Sequence, residues 1–321
     1  MNRVVLGLDT SNYRTSIALV STEMEIVWSE RILLPVPSGE RGLRQSDAVY
    51  MHLKQLKTLF HELGEKQNLQ IAAVCASTSP RAREGSYMPV FEAGEAAGLG
   101  IAASLNIPFY RTNHQHGHLY AARYGTRLAG ADRYLAMHLS GGTTDMLIAD
   151  GDQCEEIGSS HDLHAGQLVD RIGVSLGCAF PAGPELEKLA SAGTSEGRMG
   201  CAMTDGDLYC HFSGAESQAQ RWIRENAFPP EVIARETFDL LSRTVSRMLT
   251  AGARISGAED ALIFGGIASS DLFRHMLTAR LRHMRSPVRP VFGSADLSGD
   301  NAVGVALIGA EKLNSGSKGE I

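Results

Sequence analysis

The stretch Leu6-Gly7-Leu8-Asp9-Thr10-Ser11 indicates the fold, because a second apolar run, Thr15-Ser16-Ile17-Ala18-Leu19, follows it closely. The second half of the chain contains a similar pair, Met137-His138-Leu139-Ser140-Gly141-Gly142 and Thr144-Asp145-Met146-Leu147-Ile148. Each pair has the pattern of an apolar strand, a turn of small residues and another apolar strand. A pattern that recurs in both halves predicts two related β-rich lobes.

The elements around these strands predict an α/β protein. Helices alternate with strands in both halves, and no linker or low-complexity stretch separates the halves. We therefore predict an N-terminal lobe over residues 1–125 and a C-terminal lobe over residues 126–321, with a mostly helical insertion at about 177–257. Two such lobes leave a cleft between them, and the turns of small residues are expected to face it.

The bulk composition is that of a globular protein. The 321 residues are 43% hydrophobic and 21% charged, with a formal net charge of −6 that argues against nonspecific adhesion to nucleic acid or anionic lipid. No segment has the length and apolarity of a signal peptide or a membrane span, and the five cysteines form no CxxC pair. We expect a cytoplasmic protein with reduced thiols and no membrane contact.

Three histidines lie within the stretch Asn113-His114-Gln115-His116-Gly117-His118. On a helix capped by Asn113, His114 and His118 are four residues apart, so they share a face and can bind one metal ion. Gln115 stands where an HExxH metalloprotease has its glutamate base, which makes proteolysis the least favoured activity. The alternative interpretation is a solvated helix start without a ligand.

Two other side chains are candidates near such an ion. Asp300 precedes a predicted helix, either as an ordinary N-cap or as a carboxylate that completes an N/O ligand set suited to zinc or iron. His138 lies two residues before Ser140 on the same strand face. From its position in an apolar strand alone, His138 is better interpreted as a buried histidine of the core.

Two turns of small residues are suited to a phosphate group. In Ser140-Gly141-Gly142-Thr143, the glycines allow backbone N–H groups to approach an anion and the hydroxyls can donate hydrogen bonds. Gly265-Gly266 ends a predicted strand just before a helix, where the helix N-terminus attracts anions. Tight hairpins also need glycine pairs, so the alternative is a purely structural turn. The two turns together predict a nucleotide site.

Arginines in two predicted turns suggest a second ligand. Arg14 follows the first strand, and Arg81 and Arg83 follow the fourth; their guanidinium groups can hold a carboxylate or phosphate in bidentate fashion. Alternatively, Arg81 and Arg83 point to solvent and Arg14 pairs with Glu84. A further basic group, either a solvated helix face or a surface that contacts RNA phosphates, comprises Arg274, His275, Arg280, Arg282, His283, Arg285 and Arg289.

With these stretches assembled, the chain resembles the TsaD/Gcp-like family of tRNA N6-threonylcarbamoyladenosine transferases, formerly called O-sialoglycoprotein endopeptidases. The resemblance runs from Val4 to about Lys312. The matching motifs are Gly7-Leu8-Asp9-Thr10-Ser11, the HxxxGH element at His114 to His118, Ser140-Gly141-Gly142, Ala165-Gly166 with Asp170, Pro181-Ala182-Gly183-Pro184, Phe212-Ser213-Gly214, Gly265-Gly266 and Asp300-Asn301.

This resemblance implies the actin/Hsp70/sugar-kinase (ASKHA) fold, with ATP or an adenylate and a divalent metal, iron or zinc, bound between the lobes. The implied metal ligands are His114, His118 and Asp300, and His138 occupies a position where some members have a tyrosine ligand. The implied nucleotide-binding residues are Ser140, Gly141, Gly142, Thr143, Asp170, Gly183, Gly265, Gly266 and Ser270.

The chain also departs from the family pattern. After Thr10-Ser11 the family usually has Cys-Asp-Glu, whereas this chain has Asn12-Tyr13-Arg14, so the acidic pair that is important for transfer is missing. We therefore predict a divergent paralogue that transfers a carbamoyl or threonylcarbamoyl group in tRNA modification or to a related acceptor. The alternative is a nucleotide-binding paralogue with a regulatory or partner role. The expected partners are a nucleotide, tRNA, and a homologous ASKHA protein or a second copy of the chain.

Overall fold

A computed structural model describes residues 2–11, 13–35, 43–83, 85–151, 153–299 and 301–320. The chain forms two compact units, Met1–Ala122 with Gly299–Ile321, and Arg123–Ser298. None of the helices in the described ranges is long and apolar enough to cross a membrane.

The first unit is built on a five-stranded sheet with the strand order β3-β2-β1-β4-β5. The first three strands are antiparallel, and the other two run parallel to β1. From Val4 onward the β1 side chains are buried, because helices cover this part of the sheet. The strands are β1 (Asn2–Ser11), β2 (Arg14–Ser21), β3 (Ile26–Leu33), β4 (Leu69–Ser77) and β5 (Phe109–Thr112), and the helices are α1 (Gln45–Gly64), α2 (Phe91–Leu105), α3 (His114–Arg123) and, at the end of the chain, α9 (Val303–Asn314).

The second unit repeats this topology, with the strand order β12-β11-β6-β7-β8. Three antiparallel strands are again followed by two that run parallel to the first of them. The strands of this sheet are β6 (Arg133–Leu139), β7 (Thr144–Asp150), β8 (Gln153–Ser159), β11 (Asp260–Phe264) and β12 (Arg289–Phe292). The helices are α4 (Ala165–Ser175), α5 (Gly183–Ala192), α6 (Ser213–Arg224), α7 (Pro230–Ser256) and α8 (Asp271–His283).

The predicted helical insertion, at about 177–257, contains α5, α6 and α7 but also a small antiparallel hairpin. This hairpin pairs β9 (Ala202–Thr204) with β10 (Tyr209–His211). Strands of three residues carry too little alternation to be recognised from sequence.

The last helix belongs with the first unit, whereas we had assigned all of residues 126–321 to the C-terminal lobe. Small residues explain this, because they allow α9 to pack closely on β1 and β4. A Cβ atom on Gly7 would lie 2.6 Å from the backbone nitrogen of Ala306, and a Cβ atom on Gly309 would lie 2.7 Å from the Cβ atom of Cys75. At the other boundary, the units meet at 122/123, close to the predicted 125/126.

Candidate functional site

The histidine pair lies on α3, which begins directly after the short strand β5. Asn113 caps this helix as predicted, since its Oδ1 atom accepts a hydrogen bond from the backbone N–H of His116 at 2.9 Å. The Nε2 atoms of His114 and His118 lie 3.0 Å apart, so the two imidazoles converge on one point. His116 lies elsewhere on the helix and packs edge-on against Tyr120.

Asp9, at the end of β1, holds the other side of the His114 ring. The Nδ1 atom of His114 lies 3.0 Å from Oδ1 and 3.1 Å from Oδ2 of this fully buried aspartate. The hydroxyl of Ser77, at the end of β4, also donates to Asp9. A carboxylate behind a ligand histidine orients the ring and increases its basicity. We did not single out Asp9 as a site residue; the available signal was an acid that ends an otherwise apolar, buried strand.

The histidine pair has the chemistry and spacing of a metal-binding pair. Two nitrogens at about 2.05 Å from a tetrahedral zinc ion are about 3.3 Å apart, slightly more than the observed 3.0 Å. Asp9 contacts Nδ1 rather than Nε2, so it is an orienting partner and not a ligand. The structure thus supplies two imidazole donors with a fixed orientation.

Further metal ligands cannot be assigned within the described part of the chain, where no group of three or more His, Cys, Asp or Glu side chains is placed to hold an ion. Asp300, the predicted third ligand, lies outside the described residues. His138 belongs to the second unit, where its half-buried ring stacks on Phe264 with ring centroids 4.6 Å apart. The roles of Asp300 and His138 therefore stay predictions.

The predicted phosphate loop, residues 140–143, forms the turn between β6 and β7. It is closed by a hydrogen bond of 2.8 Å from the backbone N–H of Ser140 to the carbonyl of Thr143. A Cβ atom on either Gly141 or Gly142 would meet nothing within 4 Å, so this turn is open on one side. Gly166, at the start of α4, packs against the turn, where its own Cβ atom would come 2.5 Å from the Gly141 nitrogen.

The second glycine loop lies beside the first. Gly265 has a φ of +99°, and its Cβ atom would lie 2.3 Å from the carbonyl oxygen of Leu139, the last residue of β6. Because β6 and β11 are parallel neighbours, both loops emerge at the carboxyl ends of their strands. This is the edge of an α/β sheet where ligands bind. The tertiary structure therefore brings the two predicted loops together within the second unit.

Three of the predicted nucleotide residues lie in the same unit, and two of them make hydrogen bonds that organise loops or helix ends. Asp170 accepts a hydrogen bond of 2.8 Å from the backbone N–H of Ala182, which fixes the loop before α5. Gly183 is the first residue of α5. Ser270 caps α8, since its hydroxyl accepts a hydrogen bond of 3.1 Å from the N–H of Phe273. These contacts organise the loops, and nucleotide binding by the residues stays a prediction.

The predicted arginines lie on two segments of the first unit, and their role in anion binding stays a prediction. Arg81 and Arg83 are exposed on the loop after β4. Arg14 begins β2, and its guanidinium lies beside Gly299 together with that of Arg31. Arg31, which the sequence analysis did not single out, is therefore a neighbour of Arg14 at this position. Glu84, the alternative partner considered for Arg14, lies outside the described residues.

Comparison with known proteins matches the sequence of this chain to a family. A family model described as "TsaD: tRNA N6-adenosine threonylcarbamoyltransferase" matches residues 40–307. A tRNA N6-adenosine threonylcarbamoyltransferase from Listeria innocua is 26% identical over an alignment that covers 99% of this chain and 93% of that protein. A protein of the same description from Neorickettsia sennetsu is 27% identical, with 98% and 95% covered.

Solved structures confirm the fold class. Full-length HypF in its phosphate- and nucleotide-bound form has a TM-score of 0.60 at 11% identity, over 99% of this chain and 56% of that one. A ROK family glucokinase from Streptomyces griseus, in complex with glucose and AMPPNP, has a TM-score of 0.55 at 12% identity, over 96% and 99%. At such identities the similarity concerns the fold alone, the α/β fold of the sugar kinases with two related units.

Proposed function

The chain belongs to the family of tRNA N6-adenosine threonylcarbamoyltransferases, and we propose that it transfers a threonylcarbamoyl or related carbamoyl group to tRNA or a similar acceptor. The observation that carries this proposal is the convergence of the His114 and His118 Nε2 atoms in front of Asp9. Such a pair is suited to a divalent metal, zinc or iron, in an enzyme that acts on a carbonyl group.

Each residue of this site has a separate part in the proposal. A bound metal would act as a Lewis acid toward the carbonyl of the transferred group. His114 and His118 would hold it through Nε2, while Asp9 keeps the His114 ring oriented and its Nδ1 protonated. Asp300 is the proposed third ligand, and His138 is proposed at the edge of the same site.

The nucleotide part of the proposal concerns the loops of the second unit. ATP or an adenylate would place its phosphates against the open turn at Gly141 and Gly142, with the hydroxyls of Ser140 and Thr143 as donors. The adjacent Gly265-Gly266 loop would supply further backbone N–H groups ahead of α8. The openness of the first turn and the nearness of the second support this assignment.

Partner binding is also part of the proposal. Besides tRNA, we propose a homologous ASKHA protein or a second copy of the chain as partner. Two large side chains on α1, Tyr50 and Leu53, support an interface, because they are one helical turn apart and 61% and 53% exposed. Light scattering tests for the second copy: the wild type should form a dimer that the Leu53→Glu variant does not form. A wild type that is monomeric at all concentrations would leave the homologous protein as the remaining candidate partner.

One observation favours a second candidate function, a nucleotide-binding paralogue with a regulatory or partner role. Tyr13 and Arg14 stand where the family pattern has an acidic pair, and the Tyr13 side chain is 52% exposed. Replacement of an acid by Arg14 changes the local charge by two units, which at about 6 Å and an effective dielectric near 20 amounts to roughly 5 kcal/mol. A reaction that depends on the acidic pair would not tolerate this change.

Mass spectrometry of tRNA nucleosides distinguishes the two functions. The purified chain is incubated with tRNA and threonylcarbamoyl-adenylate. We expect threonylcarbamoyladenosine with the wild type and with His61→Ala, an exposed histidine of α1, and its loss with His118→Ala. Unmodified adenosine in all samples, together with retained ATP binding, would overturn the transfer to tRNA and support the second candidate.

A further inference from the structure

Arg14 and Arg31 lie on one face of the first sheet. In the β2–β3 register Arg14 pairs with Leu33 and Ser16 pairs with Arg31, so the two arginines are diagonal neighbours on adjacent strands. Their guanidinium groups converge on Gly299. A Cβ atom on this glycine would lie 2.9 Å from an Nη1 atom of Arg14 and 3.5 Å from that of Arg31.

The charges at this position are not balanced by the protein residues that the structure describes. Neither guanidinium forms an ion pair or a hydrogen bond with another described residue. Other arginines of the chain do have acidic partners: Arg243 and Arg280 share Asp239, and Arg127 pairs with Asp260. Two like charges on neighbouring strands repel each other, and an anion between them would relieve this repulsion.

Gly299 allows the two guanidinium groups to approach the backbone closely. It has no side chain, and its carbonyl oxygen accepts a hydrogen bond of 2.6 Å from the Asn301 amide, whose Oδ1 atom in turn accepts one from the N–H of Val303. The backbone is thus anchored to the start of α9. A side chain at residue 299 would displace the Arg14 guanidinium from this position.

The segment that contains Gly299 also contacts the helix of the histidine pair. A Cβ atom on Gly304 would lie 1.8 Å from the carbonyl oxygen of Gly117, which lies between His114 and His118. The helix that carries the histidine pair is therefore in contact with α9, the helix that follows Gly299, within the first unit.

We propose that Arg14 and Arg31 form a binding site for an oxyanion, a carboxylate or phosphate group, over Gly299. Guanidinium groups bind such anions through paired N–H donors, which gives both strength and a fixed orientation. This site goes beyond the proposed transfer reaction and does not depend on it. The site depends on Arg14, which stands where the family pattern has an acidic residue.

Thermal unfolding at constant ionic strength tests the site. Inorganic phosphate replaces chloride stepwise, and a parallel series uses succinate to separate phosphate from carboxylate recognition. A ligand that binds the folded state raises the Tm, so we expect one of the two anions to stabilise the wild type. Arg3→Ala, which removes an exposed arginine from the same sheet, should respond like the wild type.

Arg14→Ala, Arg31→Ala and Gly299→Ala should lose this response, with an anion affinity reduced by about ten-fold or more. In chloride alone, Arg14→Ala and Arg31→Ala should be at least as stable as the wild type, because each removes a repulsion. An equal rise of Tm in all variants, no rise with either anion in the wild type, or a marked loss of stability in chloride would each overturn the proposal.

Discussion

The Nδ1 atom of His114 lies 3.0 Å from Oδ1 of Asp9, although 105 residues separate them in sequence. An ionised carboxylate can only accept hydrogen bonds, so Nδ1 must be the donor. In neutral His114 the Nε2 atom is then unprotonated and accepts a hydrogen bond from His118 or coordinates a metal. The buried acid thereby selects the tautomer that metal binding needs.

We expect Asp9→Asn to weaken metal binding about 10- to 100-fold, because the amide no longer supplies a charge behind His114. Isothermal titration with zinc measures the effect. Asp47→Asn, an exposed aspartate in the first turn of α1, is the matched control and should bind like the wild type. An unchanged affinity in Asp9→Asn would remove Asp9 from the site.

The close approach of α3 and α9 at Gly304 should be essential for the geometry of the histidine pair. Gly304→Ala would place a methyl group 1.8 Å from the Gly117 carbonyl, so the helices must separate at a cost of about 1–3 kcal/mol. In Gly100→Ala the new methyl group meets nothing within 4 Å inside α2, and helix propensity predicts a gain of up to about 1 kcal/mol. Urea unfolding compares the two; equal stabilities would contradict the packing described.

His52 should make the stability of the protein depend on pH. Burial lowers the pKa of this α1 histidine to about 4, despite the opposing effects of the Asp9 charge and the Ser11 backbone. Its Nδ1 atom lies 2.8 Å from the hydroxyl of Thr15, while the Nε2 atom is buried without a hydrogen-bond partner among the described residues. A proton on Nε2 would therefore be unpaired in the core.

The unfolded chain binds this proton near pH 6.5 and the folded chain only near pH 4, so stability falls as the pH decreases between these values. The contribution is at most about 3 kcal/mol. His52→Asn keeps a donor for Thr15 but does not titrate, so its unfolding free energy should depend less on pH over this range. Parallel pH profiles of the two proteins would contradict the assignment.

Cys201 should be the most reactive thiol at neutral pH. A hydrogen bond from the Cys210 thiol lowers the pKa of Cys201, whereas burial raises the pKa of Cys75 to about 12. Since the thiolate is the nucleophile, alkylation by iodoacetamide should begin at a lower pH at Cys201 than at Cys75.

Peptide mass spectrometry locates the adduct. We expect it on Cys201, with Cys75 unmodified, and Cys210→Ala should shift the alkylation profile to higher pH because the donor is lost. Modification of Cys75 before Cys201 would contradict this prediction. An unchanged pH profile of alkylation in Cys210→Ala would contradict it as well.

The sequence by itself determined the features that depend on local periodicity. The repeated strand-turn-strand pattern predicted the duplicated α/β fold, and the spacing of four residues placed His114 and His118 on one face of a helix that starts after Asn113. Such predictions succeed because the partners lie within one element, where the backbone repeat alone fixes which side chains are neighbours.

Only the tertiary structure decided which distant residues meet. The ends of β1 and β4 and the start of α3 bring Asp9, Ser77 and His114 together, and the β2–β3 register places Arg31, rather than a residue of the predicted group, diagonal to Arg14. Close packing of α9 on β1 and β4 also moved the C-terminal helix into the first unit. These contacts depend on strand order and on the absence of side chains at particular glycines, and no periodicity along the chain encodes either of them.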